Sequence, residues 1–382
     1  MKTIAFYLPQ FHEIPENNEW WGEGFTEWHN MRKAEPLFAG HRQPRVPLGG
    51  DYYDLADHEV MKRQIALARE YGVYGFCFYH YWFNGRLLLE KPLERLLEDK
   101  DTHFPFCISW ANEHWTNAWA DGGSRVLMEQ RYGGPEQWRE HFDYLLPFLQ
   151  SEDYICIEGR PLLIIYRPEI IPCLNDMLDY WQGLAEECGL PELAFAYQHV
   201  SFKLSDNYDD SRFAHSIEYQ PVHAESMSRQ STHRRLRAAK RTISRLLETH
   251  LKVDLRSVGS GGLRRVSYED TWEYILNTSP DSPKALPGAF VDWDNSPRKG
   301  LRGTVYDGAA PERFRQYMTR QIRRARDEYH SDMIFLFAWN EWAEGGYLEP
   351  DQDFEYGYLD ALRQALKDNN ELPDRTSPQA LA

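Results

Sequence analysis

A single-domain α/β fold, a (β/α)8 barrel of the TIM type, is what the 382-residue sequence predicts, on three observations. Eight short β-rich apolar runs recur along the chain, segments of helical periodicity separate several of them, and most of the runs end in aromatic and polar residues. Strands alternating with helices make a parallel sheet, and eight such units close a barrel whose site lies at the carboxyl ends of the strands. The expected strands are Thr3 to Leu8, Val73 to Tyr79, Phe104 to Trp110, Pro161 to Tyr166, Leu193 to Gln198, His215 to Tyr219, Gly288 to Asp292 and Met333 to Trp339. Helical spacing covers Asp57 to Tyr71, Glu136 to Leu149, Asp176 to Cys188 and Glu312 to Tyr329. A doubly wound sheet is the runner-up, weakened because no GxGxxG follows the first strand. The barrel is expected over residues 1–372, with a disordered tail over 373–382.

Between the sixth and seventh strands the pattern breaks. Residues 228–265 hold 11 Lys and Arg against Glu248 and Asp254, a local balance of +9 in a chain whose net charge is -16. Leu236, Ala239, Ile243, Leu246 and Leu247 recur at helical spacing, which predicts a basic amphipathic helical insert. Two readings stand for it: a solvated excursion packed on the barrel, or a segment drawn to an anionic membrane surface.

Composition narrows the function. An acidic chain excludes general nucleic-acid binding, where Lys and Arg must neutralise phosphate. No run approaches the roughly 18 to 20 apolar residues of a membrane-spanning helix. Five cysteines without a CxxC, with Cys77, Cys107 and Cys156 in or beside apolar runs, suggest buried thiols and a reducing compartment. The start MKTIAFYLPQFH is too briefly apolar for a signal-peptide core, so the expected location is cytoplasmic, with peripheral contact to the inner membrane through 228–265 as the membrane variant. Trp, Tyr and Phe number 13, 23 and 19, more than packing a core of this size requires, so some line a surface.

The strand ends show which surface. The second supplies Tyr79, His80 and Tyr81, the third Trp110, Asn112, Glu113 and Trp115, the seventh Trp293 and Asp294, the eighth Trp339, Asn340 and Trp342. A pyranose offers a flat C–H face to aromatic rings and hydroxyls to amides and carboxylates, so these are candidate glycan-binding residues. Glu341 and Glu344, three residues apart between tryptophans, are the candidate catalytic pair. Glycosidic-bond chemistry needs one protonated and one ionised carboxyl group, and mutual repulsion helps to split them. Asp292-x-Asp294 has the spacing of a metal and nucleotide-sugar motif but ends a barrel strand. His12, His80, His114 and His199 lack HxxxH or HExxH spacing, so no metal and no cofactor is expected.

Six segments carry a resemblance: YLPQFH (7–12), EWWGEGFTEW (19–28), GFCFYHYWFNG (75–85), FPFCISWANEHWT (104–116), WDNSPR (293–298) and WNEWAEGGYLEPD (339–351). Through them the chain resembles the WbsX-like glycosyltransferases of surface-polysaccharide clusters, a family similar to the barrel of glycoside hydrolase family 99. The resemblance implies retaining, endo-mannosidase-like chemistry. Glu341 would be the base that assists attack by a sugar 2-hydroxyl, Glu344 the acid that protonates the leaving oxygen, and the intermediate an anhydro sugar. It also implies a place in lipopolysaccharide O-antigen or capsule metabolism. The leading expectation is therefore an enzyme acting on a glycosidic bond of an oligosaccharide or polysaccharide. A nucleotide-sugar-dependent glycosyltransferase and a non-catalytic glycan-binding barrel are the alternatives.

Overall fold

The computed structural model describes residues 1–117, 125–200, 210–228 and 262–373. Eight parallel strands form a nearly closed ring: β1 (Lys2–Tyr7), β2 (Gly75–Phe83), β3 (Phe106–Trp110), β4 (Arg160–Ile165), β5 (Ala194–His199), β6 (His215–Glu218), β7 (Ala285–Leu286 continuing as Gly288–Phe290) and β8 (Met333–Phe337). β1 lies between β2 and β8, with Ile4 level with Gly75 on one side and Phe335 on the other. The runner-up doubly wound sheet is excluded by the way the ring closes. The first half of β7 pairs with β6, Ser216 level with Ala285, and the second half pairs with β8, Gly288 level with Phe335. Pro287, which has no N–H to give a ladder, sits at the change of partner, and its carbonyl still accepts from the Phe335 amide at 3.0 Å. A Cβ on Gly288 would stand 1.8 Å from the Glu218 carbonyl oxygen, so the approach of β6 to β7 demands glycine here.

Helices cover the outside. The long ones are His58–Tyr71, Pro135–Leu149, Leu174–Glu187 and Pro311–Asp327, close to the spans their periodicity predicts. In the first, Val60, Met61, Gln64, Ile65 and Ala68 make the buried stripe. Its start is capped by Asp57, whose carboxylate accepts from the Glu59 amide, and its end by Gly72 in the left-handed region. Lys91–Glu98, Tyr268–Asn277 and Gly357–Asp368 are further helices that the sequence reading did not single out.

Two expectations change. Cys156 is exposed, unlike the buried Cys77 and Cys107; it lies on a two-residue strand that pairs antiparallel with the start of β4 and is not itself one of the eight ring strands. Most of the basic segment 228–265, with its expected helix, lies outside the described residues, as does the expected tail from residue 374 onward. The far end of that segment is not helical: Arg264–Ser267 pairs in parallel with Thr304–Asp307, and Arg264 and Arg265 bind Glu225 and Asp307.

Candidate active site

The period-two geometry of β2 decides which of its side chains face the barrel mouth. Tyr79 and Tyr81 point into a cavity of about 300 Å³. His80 and Trp82 point the other way, into the helix layer, where both rings meet His141. The same logic removes Trp110 from the mouth. It is 2% exposed, packs edge-on against His141 and donates its indole N–H to the Trp82 carbonyl at 3.2 Å. Beyond β3 the chain turns, and Glu113, His114 and Trp115 line the cavity. Trp115, Tyr81 and Phe83 form one aromatic wall, with ring centroids 5.1 and 6.1 Å from Trp115. Tyr79 and Tyr219 face each other across the floor, their hydroxyls 2.9 Å apart.

After β8 the chain delivers both candidate glutamates to this cavity. Asn340 fixes the start of the turn by a two-way bond to Leu8 at the end of β1, accepting from its amide at 2.8 Å and donating to its carbonyl at 2.9 Å. Trp339 is wholly buried against Phe76, and Trp342 stacks on Tyr347 and donates to Glu349 at 2.6 Å. These three residues support the turn from behind and do not line the cavity. Glu349, deeply buried, is pushed up to about 7 mainly by that burial, against donation from Trp342, Tyr53 and Gln64.

Around the pair stands a cation that sequence reasoning missed. Arg298 donates to Glu344 at 2.7 Å, binds Glu27 through Nε at 3.1 Å and Nη2 at 3.0 Å, and lies 3.6 Å from Glu341. Oε2 of Glu341 is buried and makes no hydrogen bond. Burial first, then the charges of Glu344 and Glu27, push the Glu341 carboxyl up to about 8, although Arg298 opposes the shift. Burial thus disfavours the charged form of Glu341, while Glu344 takes the shorter contact to Arg298. Glu27 and Arg298 sit within quoted motifs, EWWGEGFTEW and WDNSPR, but 271 positions apart, and nothing in either segment announces the other.

The other sequence candidates lie elsewhere. Asn112 binds the Arg167 backbone in both directions at 2.8 Å, securing the loop after β4. Trp293 packs on Phe337. Asp294 is buried, and against that burial His41 at 2.8 Å, the Arg45 charge at 3.7 Å, the Ser296 amide at 3.0 Å and Gln43 at 2.7 Å hold its carboxyl well below the usual range. Asp292 is bound by Arg42 at 3.0 Å and Arg45 at 2.9 Å. Both carboxylates of the DxD spacing are therefore committed to protein cations and donors.

The description Glycosyltransferase WbsX matches residues 3–362. The chain belongs to this family. Among curated relatives, the protein WxcX of Xanthomonas campestris pv. campestris, named as uncharacterized, is 36% identical over 365 residues in each of two strains. That alignment covers 95% of this chain and 49% of the relative, so the chain spans about half the length of the curated relatives it matches. Among solved structures, a glycoside hydrolase-like protein superposes with a TM-score of 0.56 at 11% identity, covering 95% of this chain and 93% of that one. The GH99 endo-alpha-mannosidase of Bacteroides thetaiotaomicron superposes at 0.52 with 13% identity, covering 97% and 98%. At such identities the likeness concerns the fold: this WbsX family member has the barrel of those hydrolases. Among the described residues, no helix is long and apolar enough to cross a membrane.

Proposed function

We propose that the chain acts on a glycosidic bond of an oligosaccharide or polysaccharide through Glu341 and Glu344 as an acid/base pair, with retention of configuration. One observation carries this: a buried carboxyl, one oxygen of which makes no hydrogen bond among the described residues, borders an aromatic-walled cavity beside a second carboxylate that Arg298 binds more closely. At neutral pH such a pair holds one proton between two groups, which is the protonation state that bond cleavage or transfer needs. The proton rests on Glu341 in the free protein. The roles implied by the family resemblance follow once a sugar displaces Arg298 from Glu344 and the proton crosses to that carboxyl. Glu341 is then free to take the proton of a 2-hydroxyl as that oxygen attacks the anomeric carbon, while Glu344 protonates the departing oxygen. The wall of Tyr81, Phe83 and Trp115 supplies the stacking surface for the ring.

Glu341→Gln and Glu344→Gln each remove a proton-transfer group while keeping volume and hydrogen bonding. Each is expected to lower turnover by roughly 10²- to 10⁴-fold with an unchanged circular dichroism spectrum. Near-native turnover in both variants would refute the pair. The family description favours one second reading, transfer from a nucleotide sugar at the same cavity. Under that reading a nucleotide sugar raises the melting temperature of the wild type; under the first it does not.

A further inference from the structure

On the flank of the barrel, apart from the cavity that holds Glu341, three side chains from separate elements bring their ligand atoms together. His199 ends β5, His223 lies in the helical stretch 222–228 after β6, and Asp281 lies in the loop that enters β7. Oδ2 of Asp281 stands 2.6 Å from Nε2 of His223 and 3.2 Å from Nδ1 of His199, and the three ligand atoms all lie within 4.8 Å of one another. We propose that His199, His223 and Asp281 form a binding site for a divalent transition-metal ion, with Zn²⁺ the best match to their chemistry.

Two neutral imidazole nitrogens and one carboxylate oxygen are a borderline donor set, suited to Zn²⁺ and poorly suited to Ca²⁺ or Mg²⁺, which demand more oxygens. Ligands about 2.0 to 2.2 Å from a tetrahedral ion lie a little over 3 Å from each other, so small side-chain rotations bring these atoms into register. The loop that carries Asp281 is anchored to β6: its backbone amide donates to Glu218 at 3.1 Å, and the other Glu218 oxygen accepts from the Tyr329 hydroxyl at 2.7 Å. The Gln220 amide nitrogen makes a long hydrogen bond of 3.4 Å to Nδ1 of His223, which metal binding through Nε2 has to break as the ring proton moves to Nδ1. Side-chain exposures of 20%, 5% and 17% leave the edge of the cluster open, so a water or an exogenous donor completes the coordination. A metal here ties the end of β5, the helical stretch after β6 and the loop before β7 to one another. Without metal the same groups make a hydrogen-bonded His–Asp–His bridge, and the test separates the two.

The probe is Co²⁺ added to the metal-stripped full chain, followed by competition with Zn²⁺. One equivalent taken up with the visible absorption of tetrahedral Co²⁺, displaced by Zn²⁺, is expected for the wild type. The same signal is expected for Glu341→Gln, since this site is independent of the cavity. His223→Ala and Asp281→Asn are expected to lose it. Absence of stoichiometric uptake by the wild type, or uptake untouched by both substitutions, would overturn the site. Should either variant fail to fold, nuclear magnetic resonance of the wild-type imidazoles decides. Zn²⁺ must shift His199 and His223 and leave the buried pair His80 and His141 unmoved; the opposite pattern would also overturn it.

Discussion

Glu341 is the residue on which the chemistry turns, and its charge is set by a balance that substitutions can tip in either direction. Loss of the pair's last proton removes the acid, so kcat/KM is expected to fall on the alkaline side with a limb near pH 8. Glu27 raises that value and Arg298 lowers it. Glu27→Gln should therefore move the limb to lower pH and Arg298→Gln to higher pH, each read from a pH–rate profile. Shifts in the same direction for both would contradict the assigned electrostatics. Stability follows the same sign. A carboxyl whose folded value is raised from 4.5 to about 8 favours the native state below the lower value, and that contribution is lost as pH rises between the two. Urea unfolding from pH 5 to 9 should show the wild type losing on the order of a few kcal/mol that Glu341→Gln keeps. Such a penalty is an expected feature of an active site, where function and stability pull apart.

At the scale of elements, the turn after β8 is where local sequence and chemistry meet. Trp342 to Glu344 make one short 3-10 turn, which Gly345 ends in the left-handed region with φ of 70°. A Cβ there would stand 2.6 Å from the Asp294 amide, the group that donates to the Glu344 carbonyl at 2.7 Å. Gly345→Ala is expected to displace Glu344 from Arg298, lowering turnover at least 10-fold and the melting temperature by several degrees, because it adds backbone strain of about 1 to 3 kcal/mol to a backbone clash. Calorimetry beside a turnover assay checks both. The sequence made this element legible as a motif with two acids and two glycines, and the acids do reach one cavity. It did not reveal that Trp339 and Trp342 support the turn from behind. For β2 and β3 more was available: period-two alternation separates Tyr79 and Tyr81 from His80 and marks which side of the strand reaches the mouth. Residue type alone, an aromatic at a strand end, does not carry that distinction.

Across the whole molecule, most of the barrel strands were legible as apolar runs bounded by polar residues, because a parallel ring buries both faces, whereas β6, reading HSIE, holds a single apolar residue. Closure was not, since it depends on β7 changing partners at Pro287 and on the room that Gly288 leaves for Glu218. Gly288→Ala is expected to separate β6 from β7 and to leave little folded protein, as judged by circular dichroism; a native-like melting curve would show the seam to be slack. The Glu27–Arg298 clamp was hidden for a related reason: its halves meet only after the ring has closed. That Glu341 and Glu344 act on a glycosidic bond with retention predicts a definite outcome in time-resolved proton NMR of the wild-type protein with a panel of bacterial surface oligosaccharides. The first product anomer to appear should keep the configuration of the bond that was cut. Inversion, or an unchanged spectrum for every glycan tried with and without nucleotide sugars, would contradict it.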